Sequence, residues 1–439
     1  MSIKKNISFI FGSQIINTII GFVSSIFITR ILGSEGRGDN TIFTNAIAFS
    51  VLFFGFSINS TIVYFVNSNK VKAGELLSTI ILLICSSAVL VYYTLNLLEH
   101  FNVLRIALPQ DIQSKPYKFI FSAIYLTSVL NGVLLAFLST YKKFKAISVY
   151  GTALQLFPTM IYCLMFFNLI PYNHHDPFRS VVVVTFLVAI ASSVAIIILF
   201  KKLLYVRPAR KLMPASLIRQ FVFFSSMAYA GNIATFFNYK LDFWVVDFYR
   251  GKAELGVYSL AAQLSQLLWL LPQSIATVLY TYASSSEQKQ AIDYTIKLKQ
   301  VSFYATLIFA LLGLCLAYFF IPVLYGNEFA PAFYLMCIFI TGIVPFSITT
   351  VLASLFAARG NFKVNFAVSL ITFAISCSMY FTLIPRFGMV GGAVSSAIAY
   401  LSATIIIEVW FCRKYKVSLL NLFNPDKSIF SPEILRRFY

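Results

Sequence analysis

Long apolar runs alternate with short polar connections from one end of the chain to the other. Each run is about 20 residues long, which is the length that a helix needs to cross the hydrocarbon core of a bilayer. A membrane β-barrel would show shorter segments of alternating hydrophobicity instead. The pattern predicts an all-α polytopic membrane protein with about twelve transmembrane helices, at roughly 7–31, 41–66, 76–98, 119–141, 146–169, 180–200, 220–248, 255–282, 301–324, 333–356, 364–384 and 390–411.

Composition strengthens this prediction. Of the 439 residues, 59% are hydrophobic and 11% are charged, and the mean hydropathy is +0.82. The net charge of +19 could indicate a nucleic-acid partner, but Lys and Arg lie mainly in the short connections, where they set membrane topology. We therefore predict no nucleic-acid binding, and no connection is long enough to fold as a separate catalytic domain.

The distribution of basic residues predicts the orientation of the chain. An even number of spans places both termini on one side, and the connections on that side hold most of the 34 Lys and Arg residues. By the positive-inside rule, both termini are cytoplasmic. Lys4 and Lys5 before the first apolar run resemble a signal peptide. The run is too long, contains Asn17 and lacks a small-residue cleavage site, so we interpret it as the first span.

A basic connection at 201–219 divides the spans into two groups of six. It contains Pro208 and Pro214, and we predict a linker that lies against the anionic membrane surface. The two groups show a weak repeat, because LGSEGRG around Gly33 aligns with RGKAELG around Gly251 at an offset of six spans. The predicted organisation is an N-terminal lobe at 1–200, the linker at 201–219, a C-terminal lobe at 220–412 and a cytoplasmic tail at 413–439.

Charged residues are concentrated near the end of the seventh span, where Lys240, Asp242 and Asp247 follow one another closely. A charge at the centre of a bilayer-spanning helix costs roughly 2.5–3.5 kcal/mol, so such residues are candidates for a functional cavity. Lys240 could instead extend to the interface beside Trp244. A helical period places four small or polar positions on one face, namely Gly231, Thr235, Asn238 and Asp242, with Lys240 and Asp247 on the opposite face.

The first span also has a polar face. Small residues on such a face favour close helix packing, but the first and seventh spans could alternatively line a shared central cavity. Arg30 lies near the external end of the first span, where it could contact substrate or extend to the interface. The face is formed by Gln14, Asn17, Gly21 and Ser24.

Metal and catalytic chemistry find little support in the sequence. All six Cys residues lie in or beside apolar spans, without metal-ligand spacing. His174 and His175 are adjacent rather than one helical turn apart. Asp176 beside them is the only external candidate for the acidic residue of a membrane enzyme. We predict no catalytic residue, metal site or cofactor.

Two segments of the chain resemble a known family. They are TRILGSEGRG at 29–38 and the run that begins NYKLDFWVVDFYRGKAELG at 238. With these segments the chain resembles Wzx-type O-antigen and polysaccharide flippases, which belong to the superfamily of multidrug, oligosaccharidyl-lipid and polysaccharide exporters. The resemblance covers nearly the whole chain and implies a MATE-like fold of two six-helix lobes. The small number of spans and of cavity cations disfavours the lipid II branch of that superfamily.

The resemblance implies a flippase that moves an undecaprenyl-pyrophosphate-linked oligosaccharide across the bacterial cytoplasmic (inner) membrane by alternating access, driven by a proton or sodium gradient. It matches Arg30, Lys240, Asp242 and Asp247 with the charged positions of the family. Lys240 or Arg30 would meet phosphate, and Asp242 or Asp247 would carry the coupling ion. Amide side chains suit sugar hydroxyl groups, so the candidate substrate-binding residues are Arg30, Lys240, Asp242, Asn17, Asn238, Asn232 and Gln14.

The implied partners are the lipid-linked oligosaccharide, membrane lipids, a polysaccharide polymerase and a chain-length regulator, and we expect a monomer. The first alternative is a MATE-like small-molecule antiporter, which would combine acidic groups with a cavity that lacks cations. A polysaccharide polymerase or glycosyltransferase would need a larger external loop. A channel is disfavoured by the repeat and by the lack of a charged ring.

Overall fold

Helices account for nearly all of the chain that the computed structural model describes, which is residues 3–56, 58–67, 71–285 and 287–417. Within these ranges the chain forms no β-strand. Nine helical segments of the described residues are long and apolar enough to cross a membrane. The predicted all-α polytopic fold is therefore confirmed.

The count of about twelve spans follows from bends inside two very long helices. Helix α1 (Ile3–Gly55) bends at Gly33, and the helix that begins at Phe362 bends at Gly388. Each therefore supplies two of the predicted spans. The helix at Ala215–Arg250 is not among the nine apolar segments, because its polar residues lower its hydropathy. It provides the seventh span.

The chain divides into two compact units, Met1–Phe236 and Phe237–Tyr439, which we call unit 1 and unit 2. The division falls inside α7 (Ala215–Arg250). The predicted boundaries of the lobes and linker stay predictions, and residues 418–439 of the predicted tail lie outside the described residues. The helices of unit 1 that precede α7 are α1, α2 (Ile58–Asn67), α3 (Ala73–His100), α4 (Lys115–Thr140), α5 (Phe144–Phe166) and α6 (Pro177–Leu203).

Unit 1 is held together by aromatic contacts and by paired polar groups. Helix α1 packs along α5, and α4 packs against α3 and α6. The Phe43 ring meets the Phe121 ring edge to face at a centroid distance of 5.8 Å. Tyr150 donates a hydrogen bond of 2.7 Å to Asn131 Oδ1. Such paired polar side chains hold transmembrane helices together at modest energies.

Unit 2 is organised around its most buried helix, α11. Helix α11 packs against four other helices of the unit, and its residues from Leu335 to Phe356 supply much of the unit's buried surface. Helices α8 and α9 together form one interrupted span, with a 3₁₀ turn at Leu267–Trp269. The helices after α7 are α8 (Lys252–Gln266), α9 (Leu270–Ser285), α10 (Gln288–Tyr325), α11 (Ala332–Ala358) and α12 (Phe362–Tyr415).

Two glycine elbows occupy equivalent positions in the two units. Gly33 has φ 64° and ψ −173°, and Gly251 has φ 83° and ψ −177°. This region of backbone conformation is open to glycine and strained for residues with a Cβ. The two glycines aligned by the sequence repeat therefore make the same backbone turn.

A side-chain contact bridges each elbow. Arg37, which is buried, donates a hydrogen bond to Thr29 across Gly33. Lys252 forms an ion pair of 3.0 Å with Asp247 across Gly251. In each unit, a basic residue that follows the elbow thus binds a polar residue that precedes it.

The connection between α6 and α7 is attached to α3. The Ala209 N–H donates to Gly74 O at 3.2 Å, and the Met213 N–H donates to Thr79 Oγ1 at 2.9 Å. The Met213 side chain is buried. The sequence predicts a linker at the membrane surface, and the structure adds that its backbone is fixed to the first turns of α3.

We expect Gly251→Ala to destabilise the protein. Open space surrounds the position, so the loss comes from the backbone conformation alone and should be roughly 1–3 kcal/mol. The matched control is Gly313→Ala, at a helical position that is equally open and where alanine should stabilise by about 0.5–1 kcal/mol. Thermal unfolding of the detergent-solubilised protein measures both, and equal effects would contradict the strained elbow.

Candidate functional site

Asp242 is a carboxylate enclosed in the apolar interior of unit 2. It belongs to α7 and is only 5% exposed. Its Oδ2 accepts a hydrogen bond of 2.5 Å from the Tyr258 hydroxyl of α8. Its Oδ1 is buried and has no hydrogen-bond partner among the described residues. A buried charge with incomplete hydrogen bonding is unfavourable, and in membrane segments such groups mark sites of ion or substrate binding.

The Tyr258 hydroxyl belongs to a short chain of buried hydroxyl groups. It lies 3.4 Å from Ser396 Oγ of α12, and Ser396 Oγ lies 3.1 Å from the Tyr380 hydroxyl. All three side chains are at most 1% exposed. Because a hydroxyl group both donates and accepts, these groups can reorganise when the charge on Asp242 changes.

Aromatic packing fixes the position of the Tyr258 ring. The ring contacts Phe243 edge to face at a centroid distance of 5.6 Å and Phe339 of α11 at 5.4 Å. Contacts of this kind contribute about 0.5–1.5 kcal/mol each beyond burial. The Tyr258 hydroxyl, which donates the hydrogen bond to Asp242, is therefore held in position by the packing of its own ring.

Lys240 lies on the same helix but does not pair with Asp242. Its Nζ lies 4.8 Å from the centroid of the Phe243 ring, a cation–π contact worth about 0.5–2 kcal/mol. The described residues give it no carboxylate within 4.0 Å. The ammonium group thus makes a weak contact with the ring, and although it forms no ion pair with a described residue it interacts electrostatically with Asp242.

Asn238 lies one helical turn before Asp242 and links α7 to α12. Its amide donates to Ser369 O at 3.0 Å, and its Oδ1 accepts from Ser376 Oγ at 3.4 Å. The next residue, Tyr239, begins a cluster of four aromatic rings. The other three rings of the cluster are Trp269, Phe346 and Tyr400. The indole Nε1 of Trp269 is buried and has no hydrogen-bond partner among the described residues.

Asp247 already has a partner, because its carboxylate is the one that pairs with Lys252 across the Gly251 elbow. It is half-buried and lies near the end of α7. The structure therefore gives Asp247 a place in the elbow. Its predicted role in ion coupling stays a prediction.

The remaining candidate residues belong to unit 1. Asn17 is half-buried, and its Oδ1 has no partner among the described residues. Its amide lies beside Gly151 of α5. Gln14, Arg30 and Asn232 are exposed. The structure thus places Asn238 and Asp242 one turn apart on α7, gives Lys240 of the same helix a separate contact with Phe243, and leaves Gln14 and Asn17 on α1. The cavity expected to be shared by the first and seventh spans stays a prediction.

Sequence reasoning missed a buried ion pair in unit 2. Lys299 of α10 forms an ion pair with Glu408 of α12, and both side chains are buried. The pattern of spans assigned Lys299 to a connection, but α10 begins at Gln288. Glu408 stands alone in the apolar run TIIIEVWF, and a carboxylate inside a span requires a partner. An isolated Glu in an apolar run could therefore have indicated that Glu408 has a buried cationic partner.

Sequence reasoning also missed the hydroxyl groups around Asp242. Tyr258, Tyr380 and Ser396 lie in three apolar spans, where single Tyr and Ser residues are too common to single out. Their proximity depends on how α8 and α12 pack against α7. Only the fold reveals it.

Comparison with known proteins agrees with this architecture. Residues 3–287 match the model of a family described as polysaccharide biosynthesis protein. Among curated proteins, none matches the chain significantly. The family match bears out the resemblance noted in the sequence.

Solved structures share the fold along nearly the whole chain. The lipid II flippase MurJ, in an inward closed conformation, has a TM-score of 0.72 and 17% identity over 94% of this chain and 89% of its own. An inward-facing MATE family multidrug resistance transporter has a TM-score of 0.67 and 16% identity, over 91% and 94%. A MATE transporter of Vibrio cholerae has a TM-score of 0.63 and 11% identity, over 95% and 96%. The MATE-like fold is therefore confirmed.

We expect Tyr258→Phe to lower the free energy of unfolding by about 1.5–3 kcal/mol, because it removes the hydrogen bond to a buried carboxylate. Tyr125→Phe is the control, since the Tyr125 hydroxyl donates to the neutral Ser87 at 2.7 Å and its loss should remove about 0.5–1.5 kcal/mol. Adding Asp242→Asn to Tyr258→Phe should recover part of the larger loss. If both Phe variants lose the same free energy of unfolding, and Asp242→Asn restores none of it in the double variant, the hydrogen bond from Tyr258 is not to a charged carboxylate.

The Lys299–Glu408 pair predicts strong non-additivity. Lys299→Met alone should destabilise by about 3–5 kcal/mol, because it leaves Glu408 buried without its cation. The double variant Lys299→Met/Glu408→Leu should be much closer to the wild-type protein. Chemical unfolding of the three proteins measures the coupling, and additive effects would show that the two residues do not act as a pair.

Proposed function

Because the chain belongs to the polysaccharide biosynthesis protein family, we propose that it is a flippase for undecaprenyl-pyrophosphate-linked oligosaccharide, an O-antigen or similar repeat unit. The cargo would move from the cytoplasmic to the external leaflet by alternating access. One observation carries the proposal. A buried carboxylate with an unpartnered oxygen, Asp242, lies on a membrane helix one turn after the amide of Asn238 and two residues after Lys240.

The chemistry of the cargo supports the proposal. A pyrophosphate group requires cations, and Lys240 is a basic residue that forms no ion pair within the described residues, although Asp242 lies near it on the same helix. A phosphate oxygen would form a charge-assisted hydrogen bond with its ammonium group, which is stronger than the contact with the Phe243 ring. Arg30 is exposed and can contribute a second cation. The amides of Gln14, Asn17, Asn232 and Asn238 suit sugar hydroxyl groups.

Asp242 has the features required of the coupling residue. When ionised, it accepts the Tyr258 hydrogen bond through Oδ2 and leaves Oδ1 for a cation. A proton on Oδ1 would cancel the charge that burial makes unfavourable. Binding of one proton or one sodium ion at Oδ1 would therefore stabilise the conformation in which Asp242 is buried against Tyr258. Such a change is what couples an ion gradient to alternating access.

A MATE-like small-molecule antiporter is the second candidate. The aromatic cluster of Tyr239, Trp269, Phe346 and Tyr400 beside an acidic residue favours it, because aromatic faces attract organic cations. Lys240 argues against it, since an ammonium group near the aromatic rings repels the same cations. The balance favours an anionic cargo.

We place the protein in the bacterial cytoplasmic (inner) membrane, with several spans and both termini cytoplasmic. It would act as a monomer among membrane lipids. The proposed partners, besides the lipid-linked oligosaccharide, are a polysaccharide polymerase and a chain-length regulator. Basic connections on the side of the termini support the orientation.

The decisive variant is Asp242→Asn, assayed in proteoliposomes that contain labelled lipid-linked oligosaccharide and carry an imposed proton or sodium gradient. Gradient-driven movement should fall by at least about tenfold, because the amide cannot bind and release the ion. Asp293→Asn changes an exposed carboxylate of the same unit and should transport normally. Undiminished, gradient-dependent movement in Asp242→Asn would refute the coupling role.

Asp247→Asn distinguishes the elbow from ion coupling. If Asp247 serves the elbow, the variant should lose stability and keep its dependence on the gradient. Loss of the gradient dependence at unchanged stability would assign it to coupling instead.

A further inference from the structure

A basic cavity lies where the α6–α7 connection crosses the beginning of α3. Its volume is about 540 Å³, which is within the range of about 300–1,000 Å³ typical of sites for small ligands. Four cations and a single carboxylate, Glu75, line it. The cations are Lys72, Arg207, Arg210 and Lys211.

The connection is held in a defined position at this cavity. The Ala209 N–H donates to Gly74 O at 3.2 Å, and the Ser78 hydroxyl donates to Ala209 O at 2.8 Å. A Cβ at position 74 would lie only 2.5 Å from Arg207 O. Close approach of the two backbones thus depends on Gly74, and it fixes the stretch of backbone that carries Arg207 and Arg210.

The basic side chains of the cavity are not neutralised within the protein. Among the described residues, none of the four forms an ion pair with Glu75 or with any other carboxylate. All four side chains are exposed, so an anion can reach them. An anion in the cavity would gain charge-assisted hydrogen bonds from Arg207 and Arg210.

The position of the cavity indicates the source of the anion. Lys72 directly precedes α3, and the connection directly follows α6, so the cavity lies at the ends of two membrane-spanning helices. Tyr205 is 98% exposed and Leu212 is 47% exposed, and both belong to the same connection. Aromatic residues are typical of the membrane–water interface. Apolar side chains beside the cations favour a lipid over free phosphate.

We propose that this cavity binds the phosphate group of an anionic phospholipid. Arg207 and Arg210 bind the phosphate oxygens, Lys72 and Lys211 supply the surrounding positive charge, and Tyr205 and Leu212 contact the glycerol and acyl region. The connection continues directly into α7, which carries Asp242. The bound lipid therefore stabilises the segment that begins α7, whatever cargo the protein carries.

Native mass spectrometry of the detergent-solubilised protein, titrated with phosphatidylglycerol or phosphatidylethanolamine, tests the site. Arg207→Gln/Arg210→Gln should weaken phosphatidylglycerol binding by on the order of tenfold or more, from about 1 kcal/mol per charge. Lys201→Gln/Lys202→Gln removes the same charge from exposed residues of α6 outside the cavity and should leave binding unchanged. Gly74→Ala keeps every charge but displaces the connection, and it should weaken binding as well.

Each other outcome overturns the proposal. Equal weakening in the two double variants would show diffuse attraction of anionic lipid to a basic surface. Displacement of the lipid by millimolar inorganic phosphate, with no effect of Tyr205→Ser, would identify the ligand as free phosphate. Preference for a polyprenyl pyrophosphate over phosphatidylglycerol would assign the cavity to the transported lipid.

Discussion

The candidate site in unit 2 depends on the hydrogen bond that Tyr258 donates to the buried carboxylate of Asp242. The rings of Phe243 and Phe339 pack against the Tyr258 ring and fix the position of its hydroxyl group. One carboxylate oxygen is left unpartnered within the described residues. A carboxylate with both oxygens hydrogen-bonded would have no place for an ion, whereas one with a free oxygen can accept a proton or a cation. We propose that this side chain links packing to transport.

The two units repeat a backbone device with different chemistry. Gly33 and Gly251 make the same turn, but a hydrogen bond from Arg37 bridges the first and an ion pair with Lys252 bridges the second. The bridged residue that precedes the elbow is neutral in unit 1, where it is Thr29, and acidic in unit 2, where it is Asp247. The structure thus separates two acidic residues that look alike in the sequence. Asp247 pairs with Lys252 across the elbow, whereas one oxygen of Asp242 has no partner among the described residues.

Much of the fold follows from the sequence, because a span of about 20 apolar residues is a strong local signal. Asp242 could be singled out for the same reason, as a charge where charge is unfavourable. Tyr258 and Ser396 could not, since their importance arises only from helix packing. Lys299 was misassigned because α10 extends beyond its apolar part. The attachment of the connection to α3 rests on hydrogen bonds to backbone groups of the connection, made by Gly74 O and by the hydroxyls of Ser78 and Thr79, and single Ser and Thr residues give no pattern that would predict it.

Transbilayer movement by the wild-type protein tests the account most directly. Proteoliposomes would carry a fluorescent undecaprenyl-pyrophosphate-linked oligosaccharide in one leaflet, and a membrane-impermeant reagent would report its arrival in the other. If the protein is a gradient-coupled flippase, an imposed proton or sodium gradient accelerates this movement, and parallel vesicles show no transport of organic cations. Movement no faster than in protein-free liposomes, together with gradient-driven export of organic cations, would contradict that function.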